Sequence, residues 1–390
     1  MKNTGRRLVA NVLIDGRIGG PQRRIVQVGT LLREMGWDTL VVFPPMGPEL
    51  PDYLTRHGFR YGQLSLSRMR RRYKIFGLLR YAARLPFEVW ALMRLYRAHQ
   101  VDLVHANSMF ALHAVIAARL SGRPVVWHFN DMALPRFLCI LITATLGGLA
   151  TIRAYSCRQV RIYQRDRNEA RSALLYPPVD LEKFRPGQSA HTGGDQWPEL
   201  ARRENEVILV AVGNVNPLKG YHYLVEALAE LRGLDTPWRM IIAGAKLDTA
   251  EDYLRALQSR IRELGMEDRF HFLGAVDEVP AVLAACDIFV LSSQSESGPM
   301  VLLEAMACGK APVASDVGLV REVIEDNVSG LVTPPRDSAA LAAALKKMIS
   351  DSAFRIAVSR RTRAAIGHKF TVQGAAEAHH AVYTRLLGGD

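Results

Sequence analysis

The sequence has few of the features that define several protein classes. Its four cysteines, Cys139, Cys157, Cys286 and Cys308, are widely separated, with no CxxC pair and no histidine and cysteine cluster at metal-ligand spacing. Neither a disulfide framework nor a zinc site is therefore expected. The first twenty residues also lack the apolar core of a signal peptide. The sequence thus predicts a cytoplasmic protein with reduced thiols and no metal cofactor.

Long apolar runs are missing as well. The stretch FLCILITATLGGLATI at 137–152 has 16 residues and contains Gly147 and Gly148. A helix that crosses a bilayer needs about 18 to 20 apolar residues. We therefore predict that this stretch is a helix, and burial inside the protein is favoured over contact with a membrane.

Positive charge is concentrated in the first half of the 390-residue chain, whose formal net charge is +12. Residues 1–180 hold 27 lysines and arginines against 11 acidic residues, whereas residues 181–390 hold 23 against 27. Such a basic half attracts nucleic acids, anionic membranes or anionic substrates. No nucleic-acid module or aromatic platform accompanies the arginines, which disfavours nucleic acid as a partner.

The densest basic cluster lies at 68–74, and an amphipathic stretch at 75–100 follows it. A segment of this kind can lie in the interface of an anionic membrane. A solvated loop that leads into an ordinary packed helix is an equally good interpretation. The side chains that would contact the membrane are Arg68, Arg70, Arg71, Arg72 and Lys74.

Short apolar strands alternate with amphipathic helices along the chain. RRLVANVLID, the helix QRRIVQVGTLLREMG and DTLVVF form a first strand, helix, strand unit, and a second series begins at EVILVAVG after a proline- and glycine-containing stretch at 176–206. This alternation is typical of parallel sheets covered by helices on both faces. We predict an α/β protein with two doubly wound domains, at 1–180 and 181–369.

In such folds ligands bind at the carboxyl ends of the strands. Gly19 and Gly20 follow the first strand, and GNVNPLKG, which ends with Lys219 and Gly220, follows the first strand of the second domain. Glycines let a ligand approach the backbone, and the N-H groups of a helix start, together with a lysine, attract phosphate. Each motif alone is a weak signal, because glycine turns and solvated lysines are common.

The stretch SESGPMVLLEAMACG places Glu296 and Glu304 on either side of a helix start. The helix would present free N-H groups between two carboxylates. This arrangement suits a nucleotide sugar, whose hydroxyl groups donate to carboxylates and whose diphosphate accepts from N-H groups. The alternative is that Glu296 caps the helix and Glu304 is merely exposed, and charge spacing alone favours this alternative.

The order of the motifs along the chain instead favours the nucleotide-sugar site over this alternative. GNVNPLKG, IIAG, HFLGAVDEVPAVLAACDIFVLSSQSESGPMVLLEAMACGKAPVASD and GLVTPPRDSAAL together resemble the retaining glycosyltransferases of family 4. The resemblance covers nearly the whole chain, with its most specific motifs in the second domain. It implies a GT-B fold, in which two Rossmann-like domains face each other across a cleft and a last helix, at 370–390, crosses back to the first domain.

The resemblance also implies an activity and a site. A hexosyl-type transferase of this family moves a sugar from a nucleotide-diphosphate sugar, without a metal, and retains the anomeric configuration. By position, Glu296, Lys219 and His128 resemble the catalytic residues, with His105 a weaker candidate. The residues implied to bind the donor are Gly19, Gly20, Gly213, Asn214, Lys219, Gly244, Ala275, Val276, Glu296, Gly298, Met300, Val301 and Glu304.

Three positions depart from the family pattern: Asn214 stands where arginine is frequent, Gln22 where glutamate is common, and Pro299 where glycine is usual. These departures keep open a non-catalytic partner subunit that binds a nucleotide sugar. A nucleotide-sugar 2-epimerase, which shares the GT-B fold, also stays open. For a transferase, the basic first domain favours a glycan or lipid-linked acceptor in cell-envelope polysaccharide synthesis, with the enzyme either free in the cytoplasm or at the inner face of the membrane.

Overall fold

The computed structural model describes residues 5–67, 75–130, 132, 134–187, 197–246 and 250–388. The chain divides into two compact units. One holds the residues up to Pro178 and those from Val372 onward, and the other runs from Val179 to Thr371. The basic cluster at 68–74 lies outside the described residues, so the predicted membrane contact of its side chains stays a prediction.

The first unit contains a parallel sheet of seven strands in the order β3-β2-β1-β4-β5-β6-β7. Its strands are β1 (Arg7–Leu13), β2 (Trp37–Phe43), β3 (Arg60–Gln63), β4 (Leu103–Asn107), β5 (Val125–Phe129), β6 (Ile152–Tyr155) and β7 (Ser172–Leu174). Its helices are α1 (Gly20–Glu34), α2 (Glu49–Arg56), α3 (Ile75–Ala98), α4 (Leu112–Leu120), α5 (Arg136–Thr145), α6 (Arg158–Tyr163) and the last helix, α14 (Val372–Leu387).

The second unit contains a parallel sheet of six strands in the order β10-β9-β8-β11-β12-β13. Its strands are β8 (Val207–Val212), β9 (Trp238–Ala243), β10 (Phe270–Gly274), β11 (Ile288–Leu291), β12 (Ala311–Ser315) and β13 (Leu331–Thr333). Its helices are α7 (Tyr221–Ala229), α8 (Glu251–Glu263), α9 (Val279–Ala285), α10 (Met300–Ala307), α11 (Val320–Val323), α12 (Ser338–Ser350) and α13 (Ser352–Ala365).

The central strands are buried along most of their length because helices cover both faces of each sheet. Every residue of β4, β5, β9 and β11 is buried, whereas the edge strand β3 is largely exposed. On one face of the first sheet, α1 and α14 pack against each other, with Val28 and Leu32 of α1 and Ala376 and Tyr383 of α14 in the same apolar core. The predicted α/β architecture with two parallel sheets is thus confirmed.

The strand order reverses once in each sheet, between β1 and β4 in the first and between β8 and β11 in the second. At such a reversal the two flanking loops diverge to opposite faces and leave a crevice at the carboxyl ends of the strands. The loops that follow β1, β4, β8 and β11 therefore border the places where a ligand fits best.

The prediction for the apolar stretch at 137–152 was wrong in two respects. The helix, α5, ends at Thr145, and β6 begins at Ile152. Only Cys139 is buried in α5, while Phe137 and Leu141 are exposed. A composition rich in leucine and isoleucine does not indicate which face of a helix packs against the rest of the protein. No helix within the described ranges is both long and apolar enough to cross a membrane.

Candidate functional site

In the second unit, the loops after β8 and β11 are locked together by hydrogen bonds. The hydroxyl of Ser292 donates to the carbonyl of Lys219 at 2.9 Å, and the backbone N-H of Gln294 donates to the carbonyl of Leu218 at 2.8 Å. Gly220 has φ +66°, and a Cβ there would lie 2.1 Å from the carbonyl oxygen of Ser292. Only glycine therefore permits this approach.

The same two loops bring together the predicted lysine and the first glutamate. Lys219 Nζ lies 2.7 Å from Glu296 Oε1, which also accepts a hydrogen bond of 3.0 Å from the hydroxyl of Ser293. The two charged side chains are each about one-fifth exposed, at 21% and 19%. They thus form an ion pair that remains open to solvent at the carboxyl ends of β8 and β11.

Helix α10 follows this ion pair directly. It begins at Met300, and Pro299 at its N-cap makes no side-chain capping bond. Glu304, one turn into the helix, is only 9% exposed. The alternative in which Glu296 caps the helix and Glu304 is simply exposed is therefore wrong on both points. The first amides of the helix, at Met300 and Val301, lie in the turn that has no intrahelical acceptors.

The ends of β8, β9 and β10 also approach each other closely. The N-H of Gly244 donates to the carbonyl of Gly274 at 2.7 Å, and a Cβ on Gly244 would lie 2.0 Å from the carbonyl oxygen of Gly213. Ala275 and Val276 come directly after β10, and Asn214 is exposed beside Gly213. These predicted donor-binding positions therefore share one edge of the second sheet with Lys219.

In the first unit, the glycine loop leads from β1 into α1, which begins at Gly20 with Pro21 in its first turn. Gly19 is extended, with φ −154°. The buried side chain of Gln22 donates from Nε2 to the carbonyl of Asp15 at 2.9 Å. The glutamine that departs from the family pattern thus ties the beginning of this loop to the helix that ends it.

His128 lies in a buried polar cluster under α1 and α14, which we call the histidine cluster. In it, Arg24 Nη1 lies 2.9 and 3.1 Å from the two ring nitrogens of His128, and His105 Nε2 lies 3.0 Å from His128 Nδ1. The other nitrogen of His105 lies 2.7 Å from the hydroxyl of Tyr383. The cluster comprises Arg24, His105, Asn107, His128, His379 and Tyr383.

The histidine cluster carries a guanidinium but no carboxylate. Among the described residues, no acidic side chain pairs with Arg24, whose Nη2 instead donates to the side-chain oxygen of Asn107. Burial lowers the pKa of Arg24 to about 10 and that of His379 to about 3. Burial, and then the charge of Arg24, hold the pKa values of His105 and His128 well below their ordinary range. The three histidines are therefore neutral.

The structure thus brings the predicted residues of the second unit to one sheet edge but buries His128 completely. Sequence analysis missed Arg24, and it missed the hydrogen bonds that Ser292 and Ser293 contribute around Lys219 and Glu296. The two serines stand in the quoted motif, where their position at a strand end was the available signal. Arg24 had no signal, because its partners come from distant parts of the chain.

Solved structures share this architecture over nearly the whole chain. Anabaena HepE, solved in complex with UDP and glucose, is 23% identical with a TM-score of 0.81, covering 97% of this chain and 99% of that chain. Sucrose-phosphate synthase from Thermosynechococcus elongatus is 20% identical with a TM-score of 0.81, covering 98% and 100%. At these identities the likeness shows the fold alone, and the fold is that of the GT-B glycosyltransferases.

The family follows from sequence models. The model described as Glycosyl transferases group 1 matches residues 195–365, and the model described as Glycosyltransferase Family 4 matches residues 18–183. Together the two models cover most of the chain. This chain belongs to glycosyltransferase family 4.

Curated relatives match over part of their length. The D-inositol 3-phosphate glycosyltransferase of Geodermatophilus obscurus is 33% identical over 220 residues, 55% of this chain and 48% of the relative. The enzyme of the same name from Stackebrandtia nassauensis is 32% identical over 292 residues, 73% of this chain and 60% of the relative. The chain spans about half the length of the first of these relatives.

Proposed function

We propose that this protein is a retaining glycosyltransferase that moves a hexosyl group from a nucleotide-diphosphate sugar to a glycan or lipid-linked acceptor. The observation that carries the proposal is the ion pair of Lys219 and Glu296 at the strand-order reversal of the second sheet, directly before the amides of α10. Family membership and the UDP and glucose bound by HepE support the same donor class.

Each group of the site has a role that its chemistry suits. Lys219 and the first amides of α10 offer positive charge to the diphosphate, where negative charge develops as the sugar leaves. Glu304, one turn into α10, would accept hydrogen bonds from the ribose hydroxyls, and Glu296 from the sugar hydroxyls. The loop at Gly19 and Gly20 lets a phosphate approach the backbone of the first unit.

In the proposed reaction, the bond between the anomeric carbon and the diphosphate oxygen breaks, and positive charge develops on the sugar ring. The acceptor hydroxyl attacks the anomeric carbon from the face that the diphosphate leaves. A new glycosidic bond forms there, and the acceptor proton passes to the departing diphosphate. The configuration at the anomeric carbon is therefore retained, and no metal or covalent enzyme intermediate enters the scheme.

The acceptor side of the proposal rests on charge. The excess of 27 basic over 11 acidic residues in 1–180 suits an anionic or membrane-bound acceptor, such as a lipid-linked intermediate of cell-envelope polysaccharide synthesis. We accordingly place the protein at the inner face of the cell membrane. The curated relatives are named D-inositol 3-phosphate glycosyltransferases, and the phosphate in that name agrees with an anionic acceptor class.

Saturation-transfer NMR tests the donor half of the proposal. The protein is mixed in turn with UDP-, GDP-, ADP- and dTDP-sugars, and both binding and slow hydrolysis are followed. One bound donor, hydrolysed to a sugar of retained configuration, is the expected result. Conversion to an epimeric nucleotide sugar would instead show a 2-epimerase, and no binding of any donor would refute the site. Lys219→Ala should weaken the saturation transfer strongly, whereas Lys346→Ala, at an exposed position of α12, should preserve it.

A further inference from the structure

The exposed face of α3 combines large apolar side chains with unpaired positive charge. Leu79, Phe87 and Trp90 are 60%, 74% and 58% exposed. Their spacing of eight and three residues places them on one side of the helix. Of the twelve large apolar side chains that are exposed among the described residues, ten belong to the first unit. Apolar exposure therefore coincides with the basic half of the chain.

The charges on α3 are of one sign at the surface. The helix holds four arginines, Arg80, Arg84, Arg94 and Arg97, all exposed. Its single acidic residue, Glu88, is buried and accepts a hydrogen bond of 2.9 Å from the backbone N-H of Ser67. Glu88 Oε1 also lies 3.5 Å from Arg84 Nε, so Arg84 is paired, whereas Arg94 and Arg97 have no acidic partner among the described residues.

The end of this face borders a groove between α3 and α4. The groove has a volume of about 510 Å³ and is lined by Trp90, Arg94, Arg97, Leu120 and Arg123, among others. The Arg94 guanidinium lies 4.7 Å from the centre of the Trp90 ring. The Nε atom of Arg123 is buried and has no hydrogen-bond partner among the described residues. Three guanidiniums thus converge beside two apolar side chains.

Within the described part of the chain, none of Arg94, Arg97 and Arg123 forms an ion pair or donates a side-chain hydrogen bond. Guanidiniums of this kind match phosphate oxygens, which accept their N-H groups in pairs. An exposed tryptophan with an adjacent arginine suits the boundary between lipid headgroups and acyl chains. The arginines and the exposed apolar side chains together therefore fit a ligand that has an anionic head and an apolar tail.

We propose that this face of α3 docks on an anionic lipid bilayer, with Leu79, Phe87 and Trp90 among the acyl chains and lipid phosphates at Arg94, Arg97 and Arg123. The inference deepens the proposed location at a membrane, because it names the docking surface from the described residues. The helix would lie along the surface, as basic amphipathic helices do. The proposed docking requires neither the basic cluster at 68–74 nor the transferase activity.

Tryptophan fluorescence gives a direct test. Of the five tryptophans, Trp37, Trp127, Trp197 and Trp238 are buried, so a change of solvent at the surface affects Trp90. Vesicles of phosphatidylglycerol and phosphatidylcholine in equal parts should shift the emission to the blue at low salt. Vesicles of phosphatidylcholine alone should not, and Trp90→Phe should lose the shift. An unchanged emission on anionic vesicles overturns the proposal.

Vesicle flotation tests the arginines. Each arginine near an anionic surface strengthens binding about fivefold at low salt, so Arg94→Gln with Arg97→Gln should weaken it about 25-fold. The matched control is Arg360→Gln with Arg361→Gln, which removes the same charge from exposed positions of α13 in the second unit. Equal losses in both double variants would show attraction by net charge alone and would overturn the docking surface.

Two further measurements separate the lipid from other occupants. If soluble glycerol 3-phosphate displaces the protein from vesicles, the arginines bind free phosphate, and the bilayer assignment fails. If sedimentation velocity shows a dimer that Trp90→Ser dissociates, the face is a protein interface, and the assignment also fails. Nucleotide-sugar binding by the same variants should be unchanged. A wild-type protein that binds a nucleotide sugar but no anionic vesicle would thus refute the docking surface without affecting the proposed transferase site.

Discussion

For the ion pair of Lys219 and Glu296, we predict that removing either partner has a different effect on nucleotide affinity. The ammonium and the carboxylate lie 2.7 Å apart at the end of the second sheet. If the ammonium binds the diphosphate, the carboxylate competes with the nucleotide for it. Removing the lysine should therefore weaken the binding of a free nucleoside diphosphate, whereas neutralising the glutamate should not.

The magnitudes follow from the exposure of the pair. A hydrogen bond between an ammonium and a phosphate contributes about 1.5 to 3 kcal/mol, so Lys219→Ala should raise the Kd about 10- to 150-fold. An ion pair that is open to solvent contributes about 0 to 1 kcal/mol. Glu296→Gln should thus leave the affinity unchanged or improve it up to about fivefold. It should nevertheless reduce turnover strongly, because the carboxylate would hold the sugar.

Isothermal titration calorimetry with UDP, GDP and ADP measures these affinities, and the nucleotide that the wild-type protein binds best is then used for the variants. Lys346→Ala serves as the control for loss of a lysine at an exposed position, and near-UV circular dichroism checks the fold. An unchanged Kd for Lys219→Ala would refute the assignment of the lysine. A Glu296→Gln variant as impaired as Lys219→Ala would refute the competition between carboxylate and nucleotide.

Three further predictions concern the same fold. Glu304→Ala should weaken nucleotide binding about 10-fold or more by calorimetry, since the ribose hydroxyls would lose the carboxylate that accepts their hydrogen bonds; a variant with wild-type affinity would argue against ribose binding. Gly220→Ala should lower Tm far more than Gly122→Ala, because both have φ +66° but only Gly220 has a backbone oxygen, that of Ser292, in the way; equal losses would contradict this. The histidines of the histidine cluster have lowered pKa values in the folded protein, so their contribution to stability is present above about pH 6.5 and is lost as the pH falls below that value. The free energy of unfolding in urea should therefore drop by about 1.4 kcal/mol per histidine from pH 7.5 to pH 5.5. Equal stability at the two pH values would refute the burial of neutral histidines.

Much of the architecture could be predicted because it depends on local patterns. Apolar runs between glycine turns identified the strands at Arg7–Leu13 and Val207–Val212, and parallel topology placed their ends together. The short strands Ile152–Tyr155 and Ser172–Leu174 were missed, because three or four residues carry too little periodicity. The apolar stretch that became α5 shows the same limit, since its exposed Phe137 depends on what packs against the helix.

The ion pair of the second unit and the histidine cluster of the first unit differ in how much of their arrangement the sequence could predict. Lys219 and Glu296 are 77 residues apart, yet each follows a strand beside the strand-order reversal, so the topology brings them together. Arg24, His105, His128 and Tyr383 come from a helix, two strands and the last helix. The hydrogen bond between His105 and Tyr383 joins residues 278 positions apart. No local pattern records such a cluster, because tertiary packing of α14 creates it.

The histidine cluster also constrains what His128 can do in the proposed reaction. A guanidinium only donates, so one ring nitrogen of His128 must accept from Arg24. Arg24 Nη1 lies 2.9 Å from Nδ1 and 3.1 Å from Nε2, so either ring nitrogen can be the acceptor. Nδ1 also lies 3.0 Å from His105 Nε2, and His105 Nδ1 lies 2.7 Å from the hydroxyl of Tyr383. Both nitrogens of His128 thus contact buried side chains of the first unit, and we propose that His128 positions the end of β5 rather than giving a proton to the sugar.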